Sequence, residues 1–403
     1  MKKYIYLDNN ATTAVASEVF ETLKPYLLDD YFNPGGMYSA AQGPAEAITR
    51  ARTAVAGFLG GVNPSEIIFT SCATESNNAA IFGTINANPN RRHIITCAVE
   101  HPAVLQTCKE AERYGCSVTF IPVDRNGEIN LDEYVRALSE ETLLVSLIHA
   151  NNETGVIFPI AKLARIAKEV DKQILFHSDA TQSMGKLPID LRTDSEIDMI
   201  SFSGHKMYAP KGVGALFMRR GTRCRPTMIG GHQENGHRAG TQNVAFIAAL
   251  GKACELAGEC MKEERSIQEL RDRLQNAIIE KIPAVEVNGR DAPRLPNTLN
   301  IACHGVEGEA ILYELDEYGI CASSGSACTS GSLDSSHVLN AMKVPFSAIH
   351  GSVRFSIGRY NTSEEIDRVI EVFPSVIERL RKMSPFWDNK TNRLNMDHSE
   401  LNG

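Results

Sequence analysis

A lysine and a carboxylate each stand at the end of a short apolar segment of the chain. Lys206 lies on a glycine-containing turn directly after the mostly apolar segment 197–202. Asp179 lies three residues after the apolar segment 174–176. Ligands of open α/β sheets bind beyond the carboxyl ends of the strands, so both side chains are expected at one ligand site. A single lysine on a turn is usually a solvated surface residue, and it is the second, acidic strand end that favours chemistry here.

This pair of side chains suits pyridoxal phosphate (PLP). PLP requires a lysine that forms a Schiff base with it and an acid on its pyridinium nitrogen. Burial lowers the pKa of a lysine amine, which makes the amine available as a nucleophile. The two strand ends therefore predict a PLP site.

An alternation of strands and helices runs from about residue 18 to residue 255. Short apolar segments predict strands at 66–70, 93–97, 143–148, 174–176, 197–203 and 214–218. Between them, segment 159–170 has apolar residues at the i, i+3, i+4, i+7 spacing of a helix. The pattern predicts an α/β fold with a mostly parallel, doubly wound sheet.

Beyond residue 255 the pattern changes to a smaller α+β unit. We expect a long charged helix at 262–280, strands at 285–287, 298–301 and 353–357, and helices at 308–318 and 364–382. Residues 388–403 are polar and are expected to form a flexible tail.

Eight short blocks spread along residues 4 to 387 carry a family resemblance. The chain resembles the cysteine desulfurases of the nitrogen-fixation type, which are PLP enzymes of the aminotransferase class V family. The blocks occur in family order and are Tyr6-Leu7-Asp8-Asn9-Asn10-Ala11-Thr12-Thr13, Thr70-Ser71-Cys72-Ala73-Thr74-Glu75-Ser76, Glu100-His101-Pro102, Asn151-Asn152-Glu153-Thr154-Gly155, Ser203-Gly204-His205-Lys206, Arg238-Ala239-Gly240-Thr241, Ser323-Ser324-Gly325-Ser326-Ala327-Cys328-Thr329-Ser330 and Val353-Arg354-Phe355-Ser356. One departure is Gly35-Gly36-Met37, where the family usually has two serines and a nearby histidine; we expect an effect on the site entrance.

The resemblance implies the fold-type I PLP transferase architecture. A large domain, 15–255, would hold a mostly parallel mixed sheet between helices and would bind PLP. A smaller α+β domain, 1–14 with 256–387, would carry a loop with a nucleophile, and 388–403 would be the tail.

The resemblance also implies roles around the PLP ring. Lys206 would hold PLP and later move the substrate Cα proton, and Asp179 would pair with the pyridinium nitrogen. Gln182 would hydrogen-bond the phenolic oxygen. His101 would stack on the ring and assist proton transfer, although a histidine before a proline is more often a loop residue. Asn152 would contact both cofactor and substrate.

The PLP phosphate would be held by several weak donors. Ala73 and Thr74 begin a helical segment, and a helix N-terminus binds anions, although Thr74 also fits a simple N-cap. Ser203 and His205 would add donors from the lysine turn. Thr241 matches a family position that reaches the phosphate across a dimer interface, so a homodimer is expected.

Two further residues define the substrate chemistry. Arg354 matches the family residue that binds the substrate α-carboxylate, for which a guanidinium fork is suited; Arg359 is the competitor for that role. Cys328 lies among small residues and would accept the substrate sulfur as a persulfide.

The activity that follows is conversion of L-cysteine to L-alanine, with the sulfur passed to an iron–sulfur scaffold protein. Other enzymes of this fold, such as an aminotransferase or a selenocysteine lyase, are alternatives, as is a non-catalytic sulfur carrier. No metal is required, although contact of Cys328 with a cluster held by a partner stays open, as does the choice between a nitrogenase-specific and a housekeeping role.

Composition narrows the class of protein. The net charge is −8 with dispersed basic residues, which argues against nucleic-acid binding. An acid and two asparagines follow the first few residues, so no signal peptide is expected. No stretch approaches the roughly 18 apolar residues of a membrane span, and we predict a cytoplasmic protein. Ten cysteines in such a chain are read as reduced thiols.

Overall fold

The computed structural model describes residues 4–261, 264–324 and 335–395 of the chain. Its strands are β1 Ile5–Tyr6, β2 Ile67–Thr70, β3 His93–Cys97, β4 Ser117–Ile121, β5 Thr142–Ile148, β6 Leu175–Asp179, β7 Met199–Ser203, β8 Gly214–Met218, β9 Val285–Val287, β10 Thr298–Cys303, β11 Ile320–Cys321, β12 Ser352–Ser356, β13 Trp387–Asp388 and β14 Arg393–Leu394. Its helices are α1 Ser17–Leu23, α2 Pro25–Leu28, α3 Gln42–Phe58, α4 Ala73–Ala87, α5 Pro102–Arg113, α6 Leu131–Ala137, α7 Ile160–Val170, α8 Val244–Cys260, α9 Glu264–Lys281, α10 Gly308–Glu317, α11 His337–Ala341, α12 Phe346–Ile349 and α13 Ser363–Met383.

The central sheet has the strand order β2-β8-β7-β6-β5-β3-β4 among the described residues. The pairings from β7 through β4 are parallel, whereas β8 is antiparallel to both β2 and β7. Every residue of β5 is buried, as expected of a strand covered by helices on both faces. The predicted α/β fold with a mostly parallel mixed sheet is confirmed.

A second, three-stranded antiparallel sheet has the order β12-β10-β9. Its apolar residues pack with those of α9, α10 and α13 in a separate core that includes Leu299, Phe355 and Phe373. Leu7 from the chain start is fully buried in the same core. The predicted domain boundary at residue 255 falls inside α8, which continues to Cys260, so the domain division stays a prediction.

Several elements differ from the sequence-based expectation. β4 and the parallel pair β1–β11 were not predicted; β1 and β11 have two residues each, too few to show a period. Part of the predicted tail forms a hairpin, β13–β14, in which Trp387 pairs with Leu394 and Asp388 pairs with Arg393. The flexibility of residues 388–403 stays a prediction. The Arg381 guanidinium lies 3.8 Å from the Trp387 ring centroid, which fixes the hairpin against α13. Residues 262–263 of the predicted long helix and residues 396–403 of the tail lie outside the described residues.

Candidate active site

Lys206 lies on the short 3₁₀ turn Gly204–Lys206 that leaves β7. Its Nζ donates to the backbone carbonyls of Asn10 at 2.6 Å and Ala11 at 2.7 Å. The amine is thus held by the chain start at the carboxyl edge of the central sheet. This is the edge at which ligands of such sheets bind.

Asp179 is the last residue of β6, one strand away from β7, and only 3% of it is exposed. Asn77 of α4 donates to one carboxylate oxygen at 2.7 Å, and the Thr181 backbone N–H donates to the other at 2.9 Å. These bonds fix the orientation of the acid. Asn77 was not identified from the sequence, since a helical asparagine carries no local signal for a partner 102 positions away.

A cavity of about 290 Å³ joins the two residues. Ten of the site residues predicted from the sequence line this cavity: Ala73, Thr74, His101, Asn152, Asp179, Gln182, Ser203, His205, Lys206 and Arg354. The volume lies near the lower end of the range usual for small-molecule sites, about 300 to 1,000 Å³. The strand ends predicted from the apolar segments therefore meet at one pocket.

The N-terminus of α4 opens on the same cavity. Cys72 occupies the N-cap position and Thr74 is the second residue of the helix, so the alternative of Thr74 as an N-cap is wrong. The first-turn N–H groups of this 15-residue helix form an anion-binding end. Within the described residues the buried Ser203 Oγ, also on the cavity, has no hydrogen-bond partner.

Two histidines flank the cavity. His101 is the N-cap of α5 and its Nδ1 accepts from the Ala103 backbone N–H at 3.1 Å, so it is more than a loop residue. Burial lowers the pKa of His101, although Asp179 opposes this shift. Burial, with the Lys206 charge, also lowers the pKa of His205 to about 4. Both imidazoles are therefore neutral near pH 7.

The Gln182 amide is used at both ends. Its Nε2 donates to the Asn10 carbonyl at 2.8 Å, and its Oε1 accepts from Lys186 Nζ at 3.0 Å. Binding of the PLP phenolic oxygen by Gln182 stays a prediction. The Gln182 amide nitrogen has one further N–H that could make this bond. Asn10 and Lys186 were not assigned from the sequence.

Arg354 lies on β12 with its side chain 7% exposed. One terminal nitrogen donates to Asp8 Oδ1 at 2.6 Å, and the other donates to the Asn152 carbonyl at 2.9 Å. Its buried Nε has no partner in the part of the chain that the structure describes. Asp8 was missed as a partner, although its motif was recognised.

Arg359 does not share this position. Its guanidinium lies over the rings of Tyr208 and Tyr360, 5.2 and 4.9 Å from their centroids. It lines a smaller neighbouring cavity and is not among the described residues around the main cavity.

Three features predicted from the sequence do not appear among the described residues that line the main cavity. Cys328 lies in 325–334, outside the described residues. Thr241 is exposed and is not among the described residues that line the main cavity. Gly35-Gly36-Met37 follows Pro34 in a turn whose residues also do not appear in that lining; Gly36 is half-buried and Met37 is fully exposed.

The described residues contain neither a metal-binding cluster nor a membrane-spanning helix. No group of three or more side chains there has the arrangement needed to hold a metal ion. None of the described helices is long and apolar enough to cross a membrane.

Comparison with known proteins places the chain among enzymes. Residues 5–369 match the family model of the class-V aminotransferases. Cysteine desulfurase 2 of Trichormus variabilis is 53% identical over 390 residues, covering 97% of both chains. Cysteine desulfurase NifS of Azotobacter vinelandii is 49% identical over 384 residues, covering 95% of both. The solved structure of a NifS-like protein, 37% identical, superimposes with a TM-score of 0.87 over 94% of this chain and 100% of that one. The chain belongs to the class-V aminotransferase family of PLP-dependent enzymes, among the cysteine desulfurases of the NifS type.

Proposed function

We propose that this enzyme removes sulfur from L-cysteine, releases L-alanine, and carries the sulfur as a persulfide on Cys328 to an iron–sulfur scaffold protein. The observation that carries the proposal is the single cavity in which Lys206, Asp179 and Arg354 converge from three separate segments. These side chains are what a PLP enzyme acting on an amino acid requires: an amine, an acid and a carboxylate binder.

The residues on the cavity fit PLP. The unpartnered Ser203 hydroxyl and the α4 N-terminus offer donors to a phosphate, and the fixed Asp179 carboxylate suits a pyridinium N–H. Lys206 would carry the cofactor. When bound, PLP supplies an electron sink that stabilises negative charge on the substrate carbon.

The chain's own groups would orient the substrate and move its protons. Arg354 would take the α-carboxylate with the N–H groups that Asp8 and Asn152 leave open, and Asn152 would contact cofactor and substrate. Lys206, which lines the same cavity as Arg354, would transfer the Cα proton. His101, neutral near pH 7, is available for a second proton transfer.

The sulfur transfer balances without an outside oxidant. The Cys328 thiolate attacks the substrate sulfur, the substrate C–S bond breaks, and its electron pair stays with carbon, which is then protonated. L-cysteine and an enzyme thiol thus give L-alanine and an enzyme persulfide. A thiol attacks as the thiolate, so the rate should depend on thiol ionisation.

A direct test compares L-cysteine turnover by the wild type and by Cys328→Ala, with sulfide and alanine measured in the presence of dithiothreitol. We expect Cys328→Ala to lose both products and to keep the PLP absorbance. Cys321→Ala, in β11 before the same segment, is the matched control and should retain turnover.

Other results would point to the alternative functions. Equal sulfide release by Cys328→Ala would contradict the persulfide route and favour a lyase. A requirement for a keto acid would favour an aminotransferase. Absence of a PLP absorption band would favour a non-catalytic carrier.

The dimeric state and the role of Thr241 are part of the proposal. Thr241 is exposed, and the apolar Ile229 on the same connecting segment is 86% exposed, which supports contact of this region with a second copy. If Thr241 completes the partner's site, mixing Lys206→Ala subunits with Thr241→Ala subunits should restore one intact site per heterodimer at limiting PLP. No gain on mixing would place Thr241 outside the partner's site.

We also propose a cytoplasmic location. The cysteines whose side chains the structure describes form no disulfide, which fits a reducing compartment.

A further inference from the structure

Lys186 has a partly buried side-chain amine and takes no part in the proposed chemistry. It follows Gly185 in the turn after β6, and its Nζ donates to two oxygens of Gln182, the backbone O and the side-chain Oε1, each at 3.0 Å. It lines a small cavity of about 50 Å³ that Lys206 also lines. Two bonds from one amine to one residue indicate a fixed arrangement.

These bonds determine which way the Gln182 amide faces. A lysine amine in its ammonium form only donates, so the amide oxygen has to face Lys186 and the amide nitrogen has to face away from it. The nitrogen side donates to the Asn10 carbonyl at 2.8 Å. That same carbonyl accepts from Lys206 at 2.6 Å. A continuous polar chain therefore links Lys186, through Gln182 and Asn10, to Lys206.

The arrangement persists through titration of Lys186. Burial lowers the pKa of Lys186 to about 7, and the positive charges of Lys206 and Arg354 act in the same direction. A neutral amine still has two N–H donors, enough for both Gln182 oxygens. The two bonds from Lys186 to Gln182 are therefore compatible with either charge state of the amine.

We propose that Lys186 is a positioning residue that orients the Gln182 amide, so that its N–H donors face the Asn10 carbonyl and the cofactor cavity. This inference rests on the proposed function, in which PLP occupies that cavity on Lys206. Without Lys186 the amide oxygen loses its partner and the amide keeps only its bond to the Asn10 carbonyl, so it can rotate about that bond and turn its second N–H donor away from the cofactor cavity.

The test is a pH titration of the visible absorption band of the PLP-loaded protein. Lys186→Met keeps the unbranched stem as far as the terminal carbon and removes the amine with its donors. We expect the titration midpoint to move by about half a pH unit or more, a change readily resolved from the wild type. Gln182→Leu should move it in the same direction. In the double variant, Lys186→Met should add nothing to the shift of Gln182→Leu, because the two changes remove the same interaction.

Controls separate positioning from charge and from stability. Lys168, paired with Asp198 at 2.7 Å and 11% exposed, is a matched buried lysine away from the cavity. Lys168→Met should lower the melting temperature without moving the midpoint. Lys186→Arg retains donors and should keep the midpoint. If Lys186→Met does not fold, Lys186→Leu, which also lacks donors, should shift the midpoint in its place.

Two results would overturn the inference. An unchanged midpoint in a folded Lys186→Met protein would show that the amide needs no support from Lys186. If Lys186→Met shifts the titration midpoint equally in the wild type and in Gln182→Leu, the charge of Lys186 acts directly on the cofactor and not through Gln182. Failure of the proposed function is distinguishable, since the wild type would then have no visible PLP band to titrate.

Discussion

Replacing Arg354 by lysine tests how the substrate carboxylate is bound. A guanidinium has five N–H donors, and in this structure one goes to Asp8 and one to the Asn152 carbonyl, which leaves three. A lysine at this position has three N–H donors, and if two of them bind Asp8 and the Asn152 carbonyl, one remains for the substrate. The substrate carboxylate would therefore change from two hydrogen bonds to one.

The size of the effect follows from that count. A hydrogen bond to a charged group contributes about 1.5 to 3 kcal/mol, and 1.36 kcal/mol is a factor of ten in rate, so kcat/KM for L-cysteine should fall about 10- to 150-fold. The carboxylate is bound in the ground state and in the transition state alike, and the loss should therefore appear mainly in KM. Alanine formation at varied L-cysteine gives both constants.

Arg359→Lys is the matched control for this experiment. Arg359 lies over two tyrosine rings beside the smaller cavity, and its substitution should change kcat/KM little. A wild-type KM in Arg354→Lys, or the loss appearing in Arg359→Lys instead, would refute the assignment of the carboxylate site.

Two further predictions concern stability. Burial raises the pKa of Glu153 from 4.5 to about 7, so between these values the folded protein keeps a proton that the unfolded chain releases, and stability falls as the pH rises. Glu153→Gln should therefore raise the melting temperature at pH 8 and change it little at pH 4.5; the opposite trend in calorimetry would count against a buried acid there. Arg52 forms two hydrogen bonds with the buried Glu234 carboxylate at 2.8 Å each, so Arg52→Met should lower the free energy of unfolding by about 3 kcal/mol or more in urea titrations. The exposed pair of Arg50 with Glu46 is the comparison, and Arg50→Met should cost less than about 1 kcal/mol; equal costs would contradict the difference in burial.

The fold was predictable where a local pattern was long enough. β5 and β7 are mostly apolar runs, and α7 repeats apolar residues at helical spacing, so their type and approximate bounds follow from the sequence. β1 and β11 pair across more than 300 positions with two residues each, and nothing local indicates them. Likewise, the hairpin at Trp387 depends on a ring contact with Arg381 that composition does not show.

Some residues of the site were also predictable from local sequence, and others were not. Lys206 and Asp179 stand at strand ends, so sheet topology alone brings them together. Asn77 and Lys186 act only through contacts formed by the folded chain: one donates to Asp179, and the other turns a glutamine amide. Such supporting residues look like ordinary helix and turn residues in the sequence.

The most direct test of the account is to locate the covalent attachment of PLP. The PLP-loaded protein is reduced with borohydride, which fixes the cofactor to the lysine that carries it, and is then digested for peptide mass spectrometry. The account predicts the modification on Lys206. Modification of Lys186, of Lys211 or of no lysine would contradict it.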